Sequence, residues 1–339
     1  MKSKRLTTKD ICMIVPTYNR AKDISKTLAS LSGKKHIPGK IIIIDQSKDD
    51  KTKKVVKKYS EKLPVEYIHL NILSANIAGN IGIKKARDKY PLILTTGDDV
   101  DFLENYFEKL IEEFNEHPEV MGIGGAEISA DKYDFKKFVN KISNLLLKIF
   151  FLPYKEDHKF RVIGPYGNTS GPQIKKEIRN AQWLPGFNEC LRSEIYKDYL
   201  WPETKGYDVL SDIDSSYRIY KKYGKGSLVL TPKCKVHHRE SSAARYDDKK
   251  RIFVNHEDHF SFYYMHFDNL PGKLKLLLSL TGIMLGNFIR TILQPKKENS
   301  DNLRYNLQAI LYCYKHRRDI KSGIYRTFLN DDLTMKMGI

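Results

Sequence analysis

The chain has 339 residues, enough for one large α/β domain or two smaller ones. At 41% hydrophobic and 29% charged residues, it is neither disordered nor collagen-like. Lys and Arg number 59 against 41 Asp and Glu, a formal net charge of +18, which favours nucleic acid, anionic lipid or phosphate-bearing substrates. Cys12, Cys190, Cys234 and Cys313 are scattered and form no CxxC, which argues against zinc and a disulfide framework and for reduced thiols in the cytoplasm. Met1 to Asp10 is polar and basic, without the apolar stretch of a secretory signal.

Along the first 130 residues short apolar runs alternate with helical periodicity. Ile11–Val15, stopped by Pro16, reads as a buried strand, and Ile24, Leu28 and Leu31 recur at helical spacing. Ile41–Ile44 reads as a central strand ending in Asp45; Val55, Val56 and Tyr59 mark a second helix. Val65–Leu70 and Leu92–Leu94 are further strands, the latter running into Gly97-Asp98-Asp99. Leu103 to Phe114 is an amphipathic helix, and Val120–Ile128 a glycine-loosened strand. This alternation predicts a largely parallel sheet covered on both faces, with ligands at the carboxyl ends of its strands. Lys141–Phe151 is apolar with interspersed lysines, and Gly164–Pro172 reads as loop. A helix is expected from about Asp212 to Gly224, and a strand at Leu228–Leu230 before Pro232. Beyond it, His256–Phe267 is aromatic and histidine-rich, Leu274–Leu293 is apolar, and Leu303–Leu329 is a basic, aromatic helical stretch.

Three polar signals sit at strand ends: Val15-Pro16-Thr17-Tyr18-Asn19-Arg20, Ile44-Asp45-Gln46-Ser47 and Thr96-Gly97-Asp98-Asp99-Val100. Asp45 suits a base or ribose, and Asp98 with Asp99 suits a hard divalent cation shared with a diphosphate. Each alone is more often a turn or helix cap; the three in this order point to one cleft.

Together these motifs resemble the amino-terminal half of the family 2 glycosyltransferases, which have the GT-A fold. The likeness continues through Ala78-Gly79-Asn80-Ile81-Gly82, Gly186–Arg192, Ser211–Arg218 and Pro232–His238, and so covers about residues 10–240. It implies a Rossmann-like α/β domain over residues 1–255, its nucleotide-binding half at about 10–130 and its acceptor half at about 131–255. Residues 256–339 would form a helical, basic and apolar extension, suited either to lying on a membrane surface or to capping the domain.

By the same resemblance, Pro16, Thr17, Asn19, Asp45, Gln46 and Asn80 would line the nucleotide-sugar pocket, with Asp98 at the donor sugar or ribose. Asp99 and His238 would hold Mn²⁺ or Mg²⁺. Asp212 would be the catalytic base of an inverting displacement. The chain departs from the family pattern at Gln46, where a second acid is usual, at Gly79 for Arg, at Gly97 for Asp, and at Ser211 for Glu. On the residues alone, Asp214 and Arg218, four apart, read as a structural pair, and His256, His259 and His266 as structural or interfacial.

The expected partners are a uridine or thymidine sugar nucleotide, a glycan or lipid-linked hydroxyl acceptor, and an anionic membrane surface on the cytoplasmic side. The alternatives are a catalytically silent scaffold of the same fold at a membrane, a nucleotidyltransferase, or a basic nucleic-acid-binding protein. No nucleic-acid-binding signature supports the last. No G-x-G-x-x-G follows the first strand and no G-x-x-x-x-G-K-[ST] is present, which excludes the common dehydrogenase and NTPase fingerprints.

Overall fold

A computed structural model describes residues 5–128, 137–156, 159–170, 174–203, 209–239, 247–324 and 328. The amino-terminal half runs β1 (Ile11–Thr17), α1 (Ala21–Leu31), β2 (Lys40–Asp45), α2 (Lys51–Tyr59), β3 (Val65–His69), α3 (Ala75–Ala86), β4 (Leu92–Thr96), β5 (Val100–Phe102), α4 (Tyr106–Glu116) and β6 (Gly122–Glu127). After α5 (Lys137–Ile149) come three short strands, β7 (Tyr154–Lys155), β8 (Arg161–Val162) and β9 (Asn168–Ser170). Then follow β10 (Asn188–Arg192), α6 (Ser211–Tyr223), β11 (Leu228–His238), α7 (Asp248–His266), α8 (Leu270–Leu293), α9 (Lys297–Lys315) and α10 (Arg317–Lys321).

Eight strands form one sheet in the order β3-β2-β1-β4-β10-β6-β11-β5. β3, β2, β1 and β4 are parallel; β10 runs antiparallel between β4 and β6, and β5 antiparallel at the β11 edge. The four isoleucines of β2 show why this sheet must be covered twice. Ile41 and Ile43 pack into one core with Ile24 and Leu28 of α1 and Phe107 and Leu110 of α4. Ile42 and Ile44 pack into the other with Ala78 and Ile83 of α3 and Ile213 and Ile219 of α6. Successive strand side chains point to opposite faces, so a continuous apolar run demands two apolar layers.

Several expectations change in detail. α3 was not foreseen as a helix: its glycines and asparagines hide the apolar period that Ala78, Ile83 and Ala86 supply from within. β11 does not stop at Pro232 but continues to His238, and its register with β6 shifts between Thr231 and Lys235, which accommodates a residue that cannot donate to the ladder. The stretch expected as loop from Gly164 holds the small strand β9, and Pro172 lies outside the described residues. The basic aromatic stretch from Leu303 is split at His316 into α9 and α10, and Leu329 lies outside the described residues. The 255/256 junction falls inside α7.

The carboxy-terminal helices share a third core, in which Phe253, Phe260 and Tyr263 of α7 meet Leu276 and Leu280 of α8 and Ile310 and Tyr312 of α9. Its polar centre is a histidine pair. Tyr166 Oη lies 2.6 Å from His256 Nδ1, His256 Nε2 lies 2.9 Å from Asn306 Oδ1, and His259 Nδ1 donates to the Pro165 carbonyl at 2.8 Å. Burial drives both rings toward neutrality, His256 down to about 4 and His259 down to about 3. Their contribution to stability is therefore complete above the ordinary histidine range and lost as pH falls through it. Between pH 7.5 and 5 each ring should give up about 2 kcal/mol. Denaturant unfolding at pH 7.5 and pH 5 checks this, and the difference should shrink in His256→Gln.

Candidate active site

The carboxyl ends of β2, β1 and β4 bring the three polar signals side by side. Thr17 and Asp45 are register partners across β1 and β2, and Thr17 Oγ1 donates to Asp98 Oδ2 at 2.7 Å. Pro16, one step back in β1, is paired with Ile44. Asn19 takes up a left-handed conformation (φ 55°), which asparagine tolerates, and its N–H donates to Ser47 Oγ at 2.8 Å. Asp45 is fully buried and accepts from the Ser47 N–H at 2.9 Å and the Tyr67 hydroxyl at 2.8 Å. Gln46 Oε1 accepts the Ser74 N–H at 2.6 Å, which ties the β2 turn to the start of α3.

Asp98 is the most constrained group here. Arg20 Nη1 lies 3.0 Å from its Oδ1 and 3.5 Å from Asp99 Oδ2. Burial raises the Asp98 carboxyl to about 6, with Arg20 and Thr17 holding it from rising further. Thr27 and Arg239 bond the Asp98 backbone carbonyl, and the Arg239 N–H donates to the Asp99 carbonyl at 2.9 Å. The sequence alone gave neither arginine a role, although Arg20 closes the first motif.

Asp99 meets His238 through sheet register. β5 pairs with β11 so that Val100 faces His238, and His238 Nε2 lies 3.2 Å from Asp99 Oδ1. Phe187 stacks on the imidazole with centroids 4.9 Å apart. At Gly97 an added Cβ would press to 2.9 Å of Asp99 Oδ1, so glycine leaves that oxygen to His238.

Asp212 is reached through the residue before Phe187. The Gly186 N–H donates to Asp212 Oδ2 at 3.0 Å, and the Ile213 N–H to Oδ1 at 2.8 Å. Burial raises this carboxyl above the ordinary aspartate range, and the two N–H groups restrain the rise. Behind it lies an acid that the sequence reading missed. Glu189 on β10 is buried, accepts from Ser216 Oγ at 2.9 Å, and is pushed up to about 8 by burial and by nearby Asp212. The Gly186-Phe187 step thus links Asp212 to the Asp99–His238 pair.

Two predicted residues serve the frame. Asn80 bonds the Trp201 backbone at both ends of its amide, at 2.8 and 3.0 Å. The neighbouring Gly79 is where the Trp201 ring comes down, and an added Cβ would stand 2.0 Å from it. Asp214 is held by Arg218 Nε at 3.0 Å and His266 Nε2 at 2.6 Å, locking α6 to α7.

Residues 12–167 match the profile of glycosyl transferase family 2. This stretch, a little under half of the chain, carries a family 2 glycosyltransferase domain. Over 203 residues this glycosyltransferase is 25% identical to the putative teichuronic acid biosynthesis glycosyltransferase TuaG of Bacillus subtilis, covering 53% of this chain and 77% of that one. It is 28% identical over 141 residues to the hyaluronan synthase of Pasteurella multocida, covering 40% of this chain but only 14% of the relative. Among solved structures, S. aureus TarS 1-349 in complex with UDP-GlcNAc matches with a TM-score of 0.53 at 14% identity, over 93% of this chain and 88% of that one. The mannosyltransferase PcManGT from Pyrobaculum calidifontis, in complex with GDP-Man and Mn²⁺, matches with a TM-score of 0.51 at 12% identity, over 93% and 84%. The fold is the GT-A fold that the resemblance implied.

Among the described residues no group of three or more His, Cys, Asp or Glu converges as a ready metal cage. Asp99 and His238 are nonetheless adjacent oxygen and nitrogen donors at a spacing that lets both face one ion. Two protein ligands, with the remaining positions left to diphosphate and water, suit Mg²⁺ or Mn²⁺. Two measurements test this local architecture. Mn²⁺ with a nucleoside diphosphate should raise the thermal midpoint of the parent chain and not that of Asp99→Asn. Gly79→Ala should lose about 1–3 kcal/mol in denaturant unfolding through its clash with Trp201.

Proposed function

We propose that this glycosyltransferase moves a sugar from a nucleotide diphosphate onto an acceptor hydroxyl with inversion, using Asp212 as base. The observation that carries the reading is the link from Asp212 through Gly186 and Phe187 to Asp99 and His238. A base and a candidate diphosphate site lie on either side of two adjacent residues. That is the layout a direct displacement needs, with the acceptor activated on one side of the anomeric carbon and the leaving group held on the other.

In this mechanism Asp212 takes the acceptor proton while the acceptor oxygen bonds to the anomeric carbon. The bond from that carbon to the diphosphate breaks, and its electron pair leaves with the phosphate oxygen. The two N–H groups on Asp212 fix its orientation, and its raised pKa makes it a stronger base than an exposed aspartate. A divalent cation on Asp99 and His238 supplies charge stabilisation of the departing diphosphate when bound. Asp45 and Thr17 lie on the nucleotide side, with Asp98 between them and the sugar. The donor is a uridine or thymidine sugar nucleotide, and the acceptor a hydroxyl of a growing glycan or a lipid-linked sugar on the cytoplasmic side of a membrane. The relative named for teichuronic acid biosynthesis supports a polysaccharide setting.

The test is nucleoside diphosphate release from a panel of sugar nucleotides with Mn²⁺ or Mg²⁺. One donor should be turned over, and Asp212→Asn should lower the rate by about 10²–10⁴-fold without weakening donor binding. Because a base acts deprotonated, the rate of the parent chain should rise with pH through the raised Asp212 value and then level off. Asp212→Asn should lack that limb. Donor binding with no turnover, even when acceptors are supplied, would favour the silent scaffold; failure to bind any sugar nucleotide would remove the reading altogether.

A further inference from the structure

Among the described residues, one stripe of side chains along α8 stands exposed. Leu270, Leu274, Leu277, Leu285, Phe288 and Ile292 recur at three- and four-residue steps, interrupted once by Thr281. Their exposure runs from 43% at Leu285 to 81% at Leu270. The stripe spans 22 helical rises, about 33 Å. The opposite side of the helix is committed. Leu276, Ser279 and Leu280 are buried, Gly282 receives the Phe150 ring, and Lys275 Nζ donates to the Ile163 carbonyl at 2.9 Å. Leu145, Leu146 and Ile149 of α5, just ahead of Phe150, are exposed as well. Contiguous apolar surface of this extent marks a binding face.

Charge identifies what covers it. From Leu270 to Lys297 the chain carries five basic residues, Lys273, Lys275, Arg290, Lys296 and Lys297, and no acidic one. Two copies packed through this stripe would set like charges against each other. An anionic lipid surface takes both the apolar stripe and its cationic flanks. α8 is long and apolar enough to cross a bilayer by length and composition. Its other face, however, is packed into the carboxy-terminal core through Leu276 and Leu280, and a spanning helix would have to give up those contacts.

We infer that α8 lies in the plane of an anionic membrane surface, its leucine stripe in the acyl boundary and the exposed Lys273, Arg290, Lys296 and Lys297 at the head groups. The inference stands on this face alone and deepens the partner side of the sugar-transfer reading. α8 begins four residues after His266, whose ring holds Asp214 on the helix that carries Asp212. A membrane under α8 is thereby coupled to the acceptor side of the cleft, where a lipid-linked hydroxyl would arrive.

The experiment is co-sedimentation of the full chain with vesicles of phosphatidylglycerol and phosphatidylcholine in equal parts, beside vesicles of phosphatidylcholine alone. The chain should pellet with the anionic vesicles at low salt and bind them about tenfold or more tightly than the neutral ones. Leu277→Glu with Phe288→Glu should lower anionic binding by about tenfold or more. Both side chains are exposed, so the thermal midpoint should hold, and slow hydrolysis of a soluble donor should persist; a loss of hydrolysis in the parent chain would instead count against the sugar-transfer reading. As a second probe, Phe288→Trp should shift its emission to shorter wavelength on adding anionic vesicles. The inference is overturned if the parent chain stays in the supernatant at low salt, or if the double variant pellets as well as the parent. It is equally overturned if sedimentation velocity finds a dimer that the double variant dissolves, since a second copy then covers the stripe, or if alkaline carbonate fails to strip the bound chain from vesicles, since α8 then spans.

Discussion

Asp98 is taken almost entirely out of water, 4% exposed, and is tolerated there because two side chains bond its carboxylate while two more satisfy its backbone carbonyl. Thr17 comes from β1, Arg20 from the turn after it, Thr27 from α1, and Arg239 from the end of β11. These contacts fix the β1 turn against the β4 turn and bring the last residues of β11 back across the sheet. Asp99 is positioned as a consequence. Its backbone carbonyl is held by the Arg239 N–H, and the residue before Arg239 is the histidine that faces its carboxylate. Removing Arg20 would strand a buried charge, a change that typically costs about 3–5 kcal/mol, so the arginine is structural and electrostatic at once.

The second half of the site depends on β10. Inserted antiparallel between β4 and β6, it carries Gly186 and Phe187 to the cleft on its leading side and Glu189 into the sheet. Burial raises the Glu189 carboxyl beside Asp212, which disfavours a second negative charge in that neighbourhood. α6 is anchored from behind by Asp214, whose partners Arg218 and His266 come from its own helix and from α7. Asp212 therefore sits on a helix clamped at its fourth position, which gives the fixed orientation that the proposed proton transfer requires.

Much of this was legible in the sequence because the parallel half of the sheet obeys simple rules. Continuous apolar runs became β1, β2 and β4, and the polar residues just after them became the cleft, since the carboxyl ends of parallel strands must face one way. Sequence spacing could not give the strand order, because β10 is inserted antiparallel between β4 and β6 and β5 is added antiparallel at the edge. α3 was obscured by Gly79 and Gly82, which serve close packing against Trp201, Ile14 and Ile44 rather than helix propensity. Arg239 and Glu189 were missed for a different reason. Glu189 lies within Gly186–Arg192 and Arg239 just past Pro232–His238, but each takes its meaning from a register that only the folded sheet sets.

The departures from the family pattern gain a physical account from the same packing. Where an arginine is usual, Gly79 admits the Trp201 ring, and Asn80 then spends both ends of its amide on the Trp201 backbone. Where a second acid is usual, Gln46 accepts the Ser74 N–H at the start of α3, and an amide oxygen does this without adding charge next to buried Asp45. At Gly97 the missing side chain leaves room for Asp99 to turn toward His238. These substitutions shift work that a family member assigns to charged side chains onto packing and backbone bonds. Asp99, His238 and Asp212 remain as the groups whose surroundings suit a metal and a base. The arginine absent at Gly79 has counterparts in neighbouring turns, where Arg20 pairs with Asp98 and Arg239 with Asp101. The net effect is a cleft with fewer acids and a more fixed frame than the pattern suggests.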